Sequence, residues 1–136
     1  MSTIFHKIIA REIPAEIVYE DEHTLSFLDI NPVNKGHALV IPKEPSESIF
    51  DISEASFVRV AQTARRIANV MKEAVGADGV NIIVNNGSAA GQEIPYLHMH
   101  VIPRFADDHA LSPAQHVTYE DGELSIFAAK IQNALG

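Results

Sequence analysis

In the stretch Tyr-Leu-His-Met-His-Val-Ile-Pro-Arg, residues 96–104, polar and apolar side chains alternate from Tyr96 to Val101. Successive side chains of a β-strand point to opposite faces of its sheet. One face of a strand here is apolar and carries Leu97, Met99 and Val101. The other face is ionisable and carries Tyr96, His98 and His100. The pattern therefore predicts a strand from Tyr96 to Ile102 that packs on a core with one face and offers chemistry on the other.

The two histidines of this strand, His98 and His100, are two residues apart and can reach one small ligand together. Imidazole is the side chain that attacks phosphorus or exchanges protons near neutral pH. Two other interpretations stay open from the pair alone, a solvated sheet face that holds two histidines and a metal site. A closed structural zinc site needs four ligands and the chain has no cysteine, so the pattern disfavours a structural metal.

Sequence upstream of this strand predicts a helix and three further strands. Apolar residues at helical spacing favour a short helix within residues 3–11, which Pro14 closes. Runs of branched and aromatic residues favour strands. The predicted strands are a hairpin at 16–20 and 24–30, a third strand at 37–41 and a fourth at 80–84.

Two more helices complete the expected order. Ser53 is a suitable N-cap for a long amphipathic helix that Gly76 ends, and a C-terminal helix is predicted around 124–135. Because most connections between strands are short, the sheet is expected to be antiparallel. The predicted fold class is α+β, a five-stranded antiparallel sheet with a long helix and shorter terminal helices.

Length and composition limit the class of protein. The chain has 136 residues, which suits a single domain over 1–136, with a core at about 3–104 and a C-terminal extension that carries the last helix. Its formal net charge of -8 argues against nucleic-acid binding, because phosphate neutralisation needs Lys and Arg. Neither a signal peptide nor a membrane helix is predicted, and cysteine is absent, so we expect a cytoplasmic protein without a membrane partner.

Several stretches taken together resemble the histidine triad family. The loop and strand of residues 91–104, Gly-Gln-Glu-Ile-Pro followed by Tyr-Leu-His-Met-His-Val-Ile-Pro-Arg, resemble its signature of histidines alternating with apolar residues. Three further stretches agree in order and spacing: residues 34–43 with its upstream histidine strand, 27–32 with its ribose-binding segment, and 4–14 with its opening helix and turn. The resemblance covers nearly the whole chain up to Arg104.

The resemblance implies a site and a mechanism. His98 takes the place of the nucleophile that attacks the α-phosphorus of a nucleotide, giving a nucleotidyl-histidine that water hydrolyses. His100 would hydrogen-bond the phosphate or the departing group, and His37 would support the cluster. The resemblance implies further ligand contacts, with Asp29 on the ribose hydroxyls, Asn85 and Gln92 on the phosphate, and Phe5, Ile8, Phe27, Ile30 and Leu39 around the base. Each of these five apolar residues can equally be ordinary core.

Two positions depart from the family pattern. Tyr96 stands where the family has the first histidine of the triad, so the catalytic cluster comprises His98, His100, His37 and a tyrosine, and its activity is expected to be reduced. Because Tyr96 shares the predicted strand face with His98, we expect its phenol to approach the imidazoles and replace a hydrogen bond that histidine normally supplies. Many bacterial relatives bind zinc through two cysteines and further histidines. Thr3, His6, Pro45 and Tyr96 occupy the matching places here, so we expect no metal and no other cofactor.

The expected function is that of a purine nucleoside phosphoramidase-like hydrolase. It would act as a nucleotide hydrolase or nucleotidyl transferase at the α-phosphate of adenosine phosphoramidates or related AMP conjugates. Two alternatives stay open, a dinucleoside polyphosphate hydrolase and a nucleotide-binding regulatory module weakened by Tyr96. The expected ligand is a purine nucleotide of the AMP type, and the expected assembly is a homodimer whose sheet extends across both copies.

Overall fold

The computed structural model describes residues 2–111 and 115–136, and these form three α-helices and five β-strands. The elements in chain order are α1 (Ile4–Ile9), β1 (Ile17–Glu20), β2 (Thr24–Leu28), β3 (Ala38–Pro42), α2 (Glu54–Val75), β4 (Gly79–Val84), β5 (Met99–Arg104) and α3 (Glu123–Leu135). A short 3-10 turn at Ser88–Ala90 interrupts the connection between β4 and β5. The predicted elements are all present, with small changes of their ends.

The five strands form one sheet in the order β1-β2-β3-β5-β4, and neighbouring strands are antiparallel. This confirms the predicted fold class. The strand β5 lies inside the sheet, where Leu39 of β3 pairs with His100 on one side and Ile83 of β4 pairs with it on the other. His100 therefore projects from a backbone that is held on both edges, and His98 directly precedes the strand.

Helix α2 covers one face of the sheet. Its N-cap is Ser53, whose hydroxyl accepts a hydrogen bond from the backbone N–H of Ser56, and its C-cap is Gly76 in the left-handed conformation. Its buried apolar residues are Val60, Ala64, Ile67 and Met71, and they pack against the apolar side of β3 and β5. The central residues of this core are Ala38, Val40, Val60, Ala64, Ile67, Met71, Leu97, Met99 and Val101.

Helix α1 covers part of the opposite face with a smaller aromatic core. Thr3 caps the helix through its hydroxyl and exchanges a second bond with His6, whose Nδ1 accepts from the Thr3 backbone N–H at 2.9 Å. The buried residues of this side are Phe5, Ile8, Leu25, Phe27, Leu39, Ile41 and Tyr96. The ionisable face of β5 therefore opens beside α1 rather than beneath α2.

The strand β5 begins three residues later than the sequence predicts, at Met99 instead of Tyr96. Residues 96–98 leave the ladder because their polar groups have other partners. The N–H of Leu97 donates to the Ser46 carbonyl at 2.8 Å, and the carbonyl of Tyr96 accepts from the His98 ring. The side chains still alternate through this segment, because Leu97 joins the core under α2 with Met99, and Tyr96 joins the aromatic core under α1.

Helix α3 lies apart from both cores, since none of its residues is buried. It starts at Glu123, one residue before the predicted helix. No helix in the described part of the chain has the length and apolar character needed to cross a membrane.

A glycine fixes the entry to β3 and therefore the place of His37. Gly36 has φ of +98°, a backbone conformation that is strained for any residue with a side chain. A Cβ there would also lie 3.3 Å from Cγ1 of Val75. Gly36→Ala is expected to lower the free energy of unfolding by about 1–3 kcal/mol, measured by urea denaturation. Gly79→Ala is the matched control, because no atom lies within 4 Å of its Cβ position and its φ is not positive. Equal effects of the two variants would contradict this account of Gly36.

Candidate active site

A cavity of about 370 Å³ opens between α1, the end of β2 and the histidine face of β5. This volume is within the range of small-molecule sites, which are concave, mostly apolar and carry a few polar groups. The lining residues are Ile4, Phe5, Ile8, Ile13, Pro14, Ala15, Phe27, Leu28, Asp29, Ile30, Asn31, Leu39, Asn85, Gly91, Glu93, Ile94, His98 and His100. Nine of the predicted site residues are among them, and His37, Gln92 and Tyr96 are not.

His98 is held in one tautomer by the backbone. Its Nδ1 lies 2.7 Å from the carbonyl oxygen of Tyr96, and because a carbonyl only accepts, the ring nitrogen must carry the proton. In a neutral imidazole the second nitrogen, Nε2, then keeps its lone pair. His98 is buried and lines the cavity, so it supplies a basic nitrogen of fixed tautomer to this site.

His37 and His100 form a hydrogen-bonded relay with a definite direction. The backbone N–H of Val33 donates to Nδ1 of His37 at 3.0 Å, so the proton of a neutral His37 ring is on Nε2. That Nε2 lies 2.9 Å from Nδ1 of His100 and donates to it. The proton of His100 is therefore on Nε2, which is free of this relay. His98 and His100 thus differ, with His98 offering a lone pair and His100 an N–H.

Burial keeps the three imidazoles neutral. It lowers the pKa of His98 below its ordinary value, against smaller opposing effects from the Tyr96 carbonyl and two nearby carboxylates. Burial also lowers the pKa of His37. It lowers the pKa of His100 to about 4, and repulsion between protonated rings would oppose a charge on His100 beside His98 and His37. At pH 7 the cluster therefore presents nucleophilic nitrogen and neutral donors rather than imidazolium ions.

Asp29 follows β2 and lies at the edge of the relay. One carboxylate oxygen accepts from the backbone N–H of Asn31 at 2.8 Å, and the other lies 3.7 Å from Nε2 of His37. The turn therefore fixes the carboxylate while leaving lone pairs for a ligand in the cavity. The placement is compatible with the predicted contact to ribose hydroxyls.

The two predicted phosphate amides differ in their surroundings. Asn85 lines the cavity directly after β4. Gln92 has its side chain engaged elsewhere, because its Oε1 accepts from Gly87 N–H and its Nε2 donates to the carbonyls of Glu47 at 2.6 Å and Ile94 at 3.1 Å. The structure thus gives Gln92 a role in shaping the loop, and its amide hydrogens are not free for a phosphate as the sequence predicted.

All five predicted base-pocket residues line the cavity, and they fall into two groups. Phe5, Ile8, Phe27 and Leu39 are buried and belong to the aromatic core under α1. Ile30 is 88% exposed and stands at the rim. The apolar wall is therefore both core and cavity surface, so the two interpretations of these side chains do not exclude each other.

Tyr96 does not take the place that its spacing predicts. Its phenol donates to the carbonyl of Pro42 at 2.5 Å, and its ring packs edge-on against Phe5 and His6. A buried phenol needs a hydrogen-bond acceptor, and the end of β3 supplies one. The expected hydrogen bond from this phenol to the imidazole cluster is therefore wrong, although the backbone of Tyr96 does reach His98.

The residues that match a family zinc site do not fit that ion. Thr3, His6, Pro45 and Tyr96 do line one cavity of about 350 Å³. His6 alone among the four has an imidazole, and its Nδ1 already accepts from the Thr3 backbone N–H. The Tyr96 hydroxyl is bonded to a carbonyl. This set lacks the four nitrogen or sulfur ligands of a structural zinc site.

One group of potential metal ligands lies in the described part of the chain. Ligand atoms of Asp29, His37 and His100 are within 4.8 Å of one another. The two ring nitrogens of that group are already joined by a proton in the relay. A metal ion there would have to displace this proton, so the observed geometry is that of a hydrogen-bond network.

Several contributors to the site carried no signal in the sequence. Val33 acts through its backbone N–H and Pro42 through its carbonyl, and backbone groups are not visible in residue types. Glu93 lines the cavity as a carboxylate in a loop, where a charged side chain is ordinarily solvent-facing. Ile13 and Ile94 extend the apolar wall from two separate loops, and only the fold brings them together.

The fold and the site define a class of protein, an antiparallel α+β protein that offers a neutral imidazole and an imidazole N–H to a small-molecule cavity. The HIT domain model matches residues 10–107. An uncharacterized HIT-like protein of Methanocaldococcus jannaschii is 49% identical over 105 residues, which are 77% of this chain and 81% of the relative. The chain belongs to the HIT family, the histidine triad family that its motifs resemble.

Two further similarities connect this chain to a named enzyme and to a solved fold. Adenosine 5'-monophosphoramidase HNT1 of Saccharomyces cerevisiae is 37% identical over 120 residues, which are 86% of this chain and 73% of the relative. A crystal structure of a HIT family member from Bacillus subtilis superimposes with a TM-score of 0.89 at 36% identity, covering 98% of this chain and 96% of that chain.

Protonation of the buried histidines predicts how stability depends on pH. Their folded-state pKa values lie below the unfolded value of about 6.5, so the unfolded chain takes up protons first as the pH falls. The stability is fully present above pH 6.5 and is expected to decrease toward pH 4, as measured by urea unfolding. His100→Asn should reduce this dependence, whereas His23→Asn, at an exposed position, should not. Identical pH profiles for wild type and His100→Asn would contradict the account.

Proposed function

We propose that this protein hydrolyses adenosine phosphoramidates, or related AMP conjugates, through a nucleotidyl-histidine at His98. The observation that carries the proposal is the bond from His98 Nδ1–H to the Tyr96 carbonyl, which leaves Nε2 as a lone-pair nucleophile in a ring that lines the cavity. Its lowered pKa keeps that lone pair unprotonated at neutral pH. The adenosine 5'-monophosphoramidase among its relatives supports the same chemistry.

The reaction takes place in two displacements. Nε2 of His98 attacks the α-phosphorus, the P–N bond breaks, and its electron pair stays on the leaving amine, which is protonated by solvent. The imidazole then carries positive charge, and the Nδ1–H bond to the Tyr96 carbonyl strengthens. Water attacks the same phosphorus in the second step, the bond from phosphorus to Nε2 breaks with its electron pair staying on the ring, and the water loses a proton to solvent. This releases AMP and restores the neutral ring.

Neighbouring groups bind the rest of the nucleotide. The N–H at Nε2 of His100 is available to a phosphoryl oxygen or to the departing nitrogen, and Asn85 adds an amide at the same cavity. Asp29 accepts from ribose hydroxyls with its free lone pairs. The buried wall of Phe5 and its neighbours covers the purine. Each of these groups lines the cavity, and His37 supports His100 through the relay behind it.

The charges around the cavity favour an amine leaving group over a polyphosphate. Among the lining residues in the described chain there is no Lys or Arg, and Glu93 adds a negative charge. A polyphosphate leaving group would bring several negative charges without a cation to meet them. The second candidate, a dinucleoside polyphosphate hydrolase, is therefore less well supported than the phosphoramidase.

We further propose that two copies associate so that the sheet continues from one to the other. Within the described residues the order β1-β2-β3-β5-β4 leaves one edge of β1 and one edge of β4 without a neighbouring strand. An unpaired edge is a template for a further strand. Such a homodimer would leave both cavities on the faces of one extended sheet.

Removal of the nucleophile tests the mechanism. His98→Ala should lower kcat by roughly 10³-fold or more on an adenosine phosphoramidate, with the Kd for AMP changed by less than about threefold, because the lost interaction belongs to the transition state. AMP release and calorimetry measure the two quantities. His23→Ala, at an exposed histidine in the β1–β2 turn, is the matched control. Near-normal turnover by His98→Ala would overturn the mechanism, and absence of turnover by wild type would favour the regulatory module.

The charge at the cavity tests the leaving-group preference. Glu93→Gln should raise kcat/KM for a dinucleoside polyphosphate relative to an uncharged amidate by about threefold, as expected for removing roughly 0.6 kcal/mol of repulsion through water. Competition assays with both substrates measure this ratio. Glu73→Gln is the control, because it removes an equal exposed charge from α2 on the other side of the sheet. A ratio that is unchanged in Glu93→Gln, or changed equally in both variants, would contradict the electrostatic argument.

A further inference from the structure

The side chain of Tyr96 joins two parts of the chain that are far apart in sequence. It is 1% exposed, and its hydroxyl donates to the Pro42 carbonyl at 2.5 Å. Pro42 is the last residue of β3, and Tyr96 lies in the segment that leads into β5. The bond therefore fastens this segment to the end of the neighbouring strand at a point just before the histidines begin.

The backbone of Tyr96 is the part that touches the active site. Its carbonyl accepts from Nδ1–H of His98 at 2.7 Å, while its own N–H donates to the Ile94 carbonyl at 2.8 Å. The next residue, Leu97, donates its N–H to Ser46. The peptide that holds the His98 ring is thus fixed through the Tyr96 side chain and through bonds of the backbone on both sides.

Aromatic packing is a second connection between the side chains of Tyr96 and His98. The ring of Phe5 lies edge-on to both, with centroids 6.0 Å from the Tyr96 ring and 5.0 Å from the His98 ring. The His6 ring also packs against Tyr96, with the ring centroids 4.8 Å apart. A shift of the phenol would therefore move a neighbour of the nucleophile as well as the peptide that orients it.

We infer that Tyr96 is a positioning residue for His98, and that its phenol–Pro42 hydrogen bond holds the Tyr96 carbonyl against Nδ1 and so keeps the lone pair on Nε2. The inference rests on the proposed function of His98 as nucleophile. Tyrosine at the first triad position then contributes an anchor rather than a lost catalytic group. A carbonyl that is not held would allow the other tautomer, in which Nε2 carries the proton and cannot attack phosphorus.

Removal of one oxygen atom tests the inference. Tyr96→Phe keeps the ring and deletes the hydroxyl. We expect kcat on an adenosine phosphoramidate to fall about tenfold with KM within twofold, because ligand contacts remain and only the orientation of the nucleophile is loosened. In ¹⁵N–¹H spectra of the imidazoles, the Nδ1–H signal of His98 should weaken while signals of the Nε2–H tautomer appear.

Thr63→Val is the matched control for loss of a buried hydroxyl. Thr63 is on α2, and its Oγ1 exchanges a 2.7 Å hydrogen bond with Thr24 on the far side of the sheet. This variant should lose thermal stability as Tyr96→Phe does, but it should retain kcat and the His98 tautomer. The comparison separates positioning from general loss of stability.

Two outcomes would contradict the role of Tyr96. Unchanged kcat and an unchanged His98 spectrum in Tyr96→Phe would overturn the inference and leave the proposed function intact. A fall in kcat of equal size in Thr63→Val would also overturn it. If Tyr96→Phe is too unstable for kinetics, the spectrum of its AMP-saturated form still reports the tautomer, because a ligand that binds the folded state stabilises it. Absence of turnover and of AMP binding in wild type would instead refute the proposed function.

Discussion

Burial of one face of β5 beneath α2 is the constraint on which the other features of the molecule depend. Leu97, Met99 and Val101 belong to the core that α2 covers, and a shift of register by one residue would bring the histidines into that core instead. The hydrophobic core therefore specifies which side chains of β5 reach the cavity. Pairing of this strand on both edges then keeps His100 in place without any contribution from a ligand.

The same burial gives the histidines their chemistry. Water is excluded from one side of the cluster, which disfavours the charged form of each ring and lowers its pKa. A neutral imidazole has one donor and one acceptor nitrogen, so a neighbouring group must select which nitrogen carries the proton. The backbone does this, through the Val33 N–H for His37 and through the Tyr96 carbonyl for His98. Since His37 in turn donates to His100, the rings of His98 and His100 acquire different roles.

Local sequence signals predicted the elements well where the physics is local. The periodicity of α2, its Ser53 cap and its Gly76 stop are properties of a few consecutive residues, and the helix forms between them. The alternation around His98 and His100 likewise belongs to one strand. The start of β5 was predicted three residues too early because residues 96–98 have hydrogen-bond partners elsewhere in the chain. The alternation of side chains within one segment carries no information about such distant partners.

The sequence by itself determined the antiparallel α+β class, the chemical face of β5 and, through coupled motifs, membership of the HIT family. Only the tertiary structure decided what the individual polar groups do. Tyr96 bonds to Pro42 and not to an imidazole, Gln92 holds its own loop, and the tautomer of His98 depends on a backbone carbonyl. The physical reason is that periodicity follows from steric repeats along a single segment, whereas a buried hydrogen bond needs a partner that folding brings from another segment.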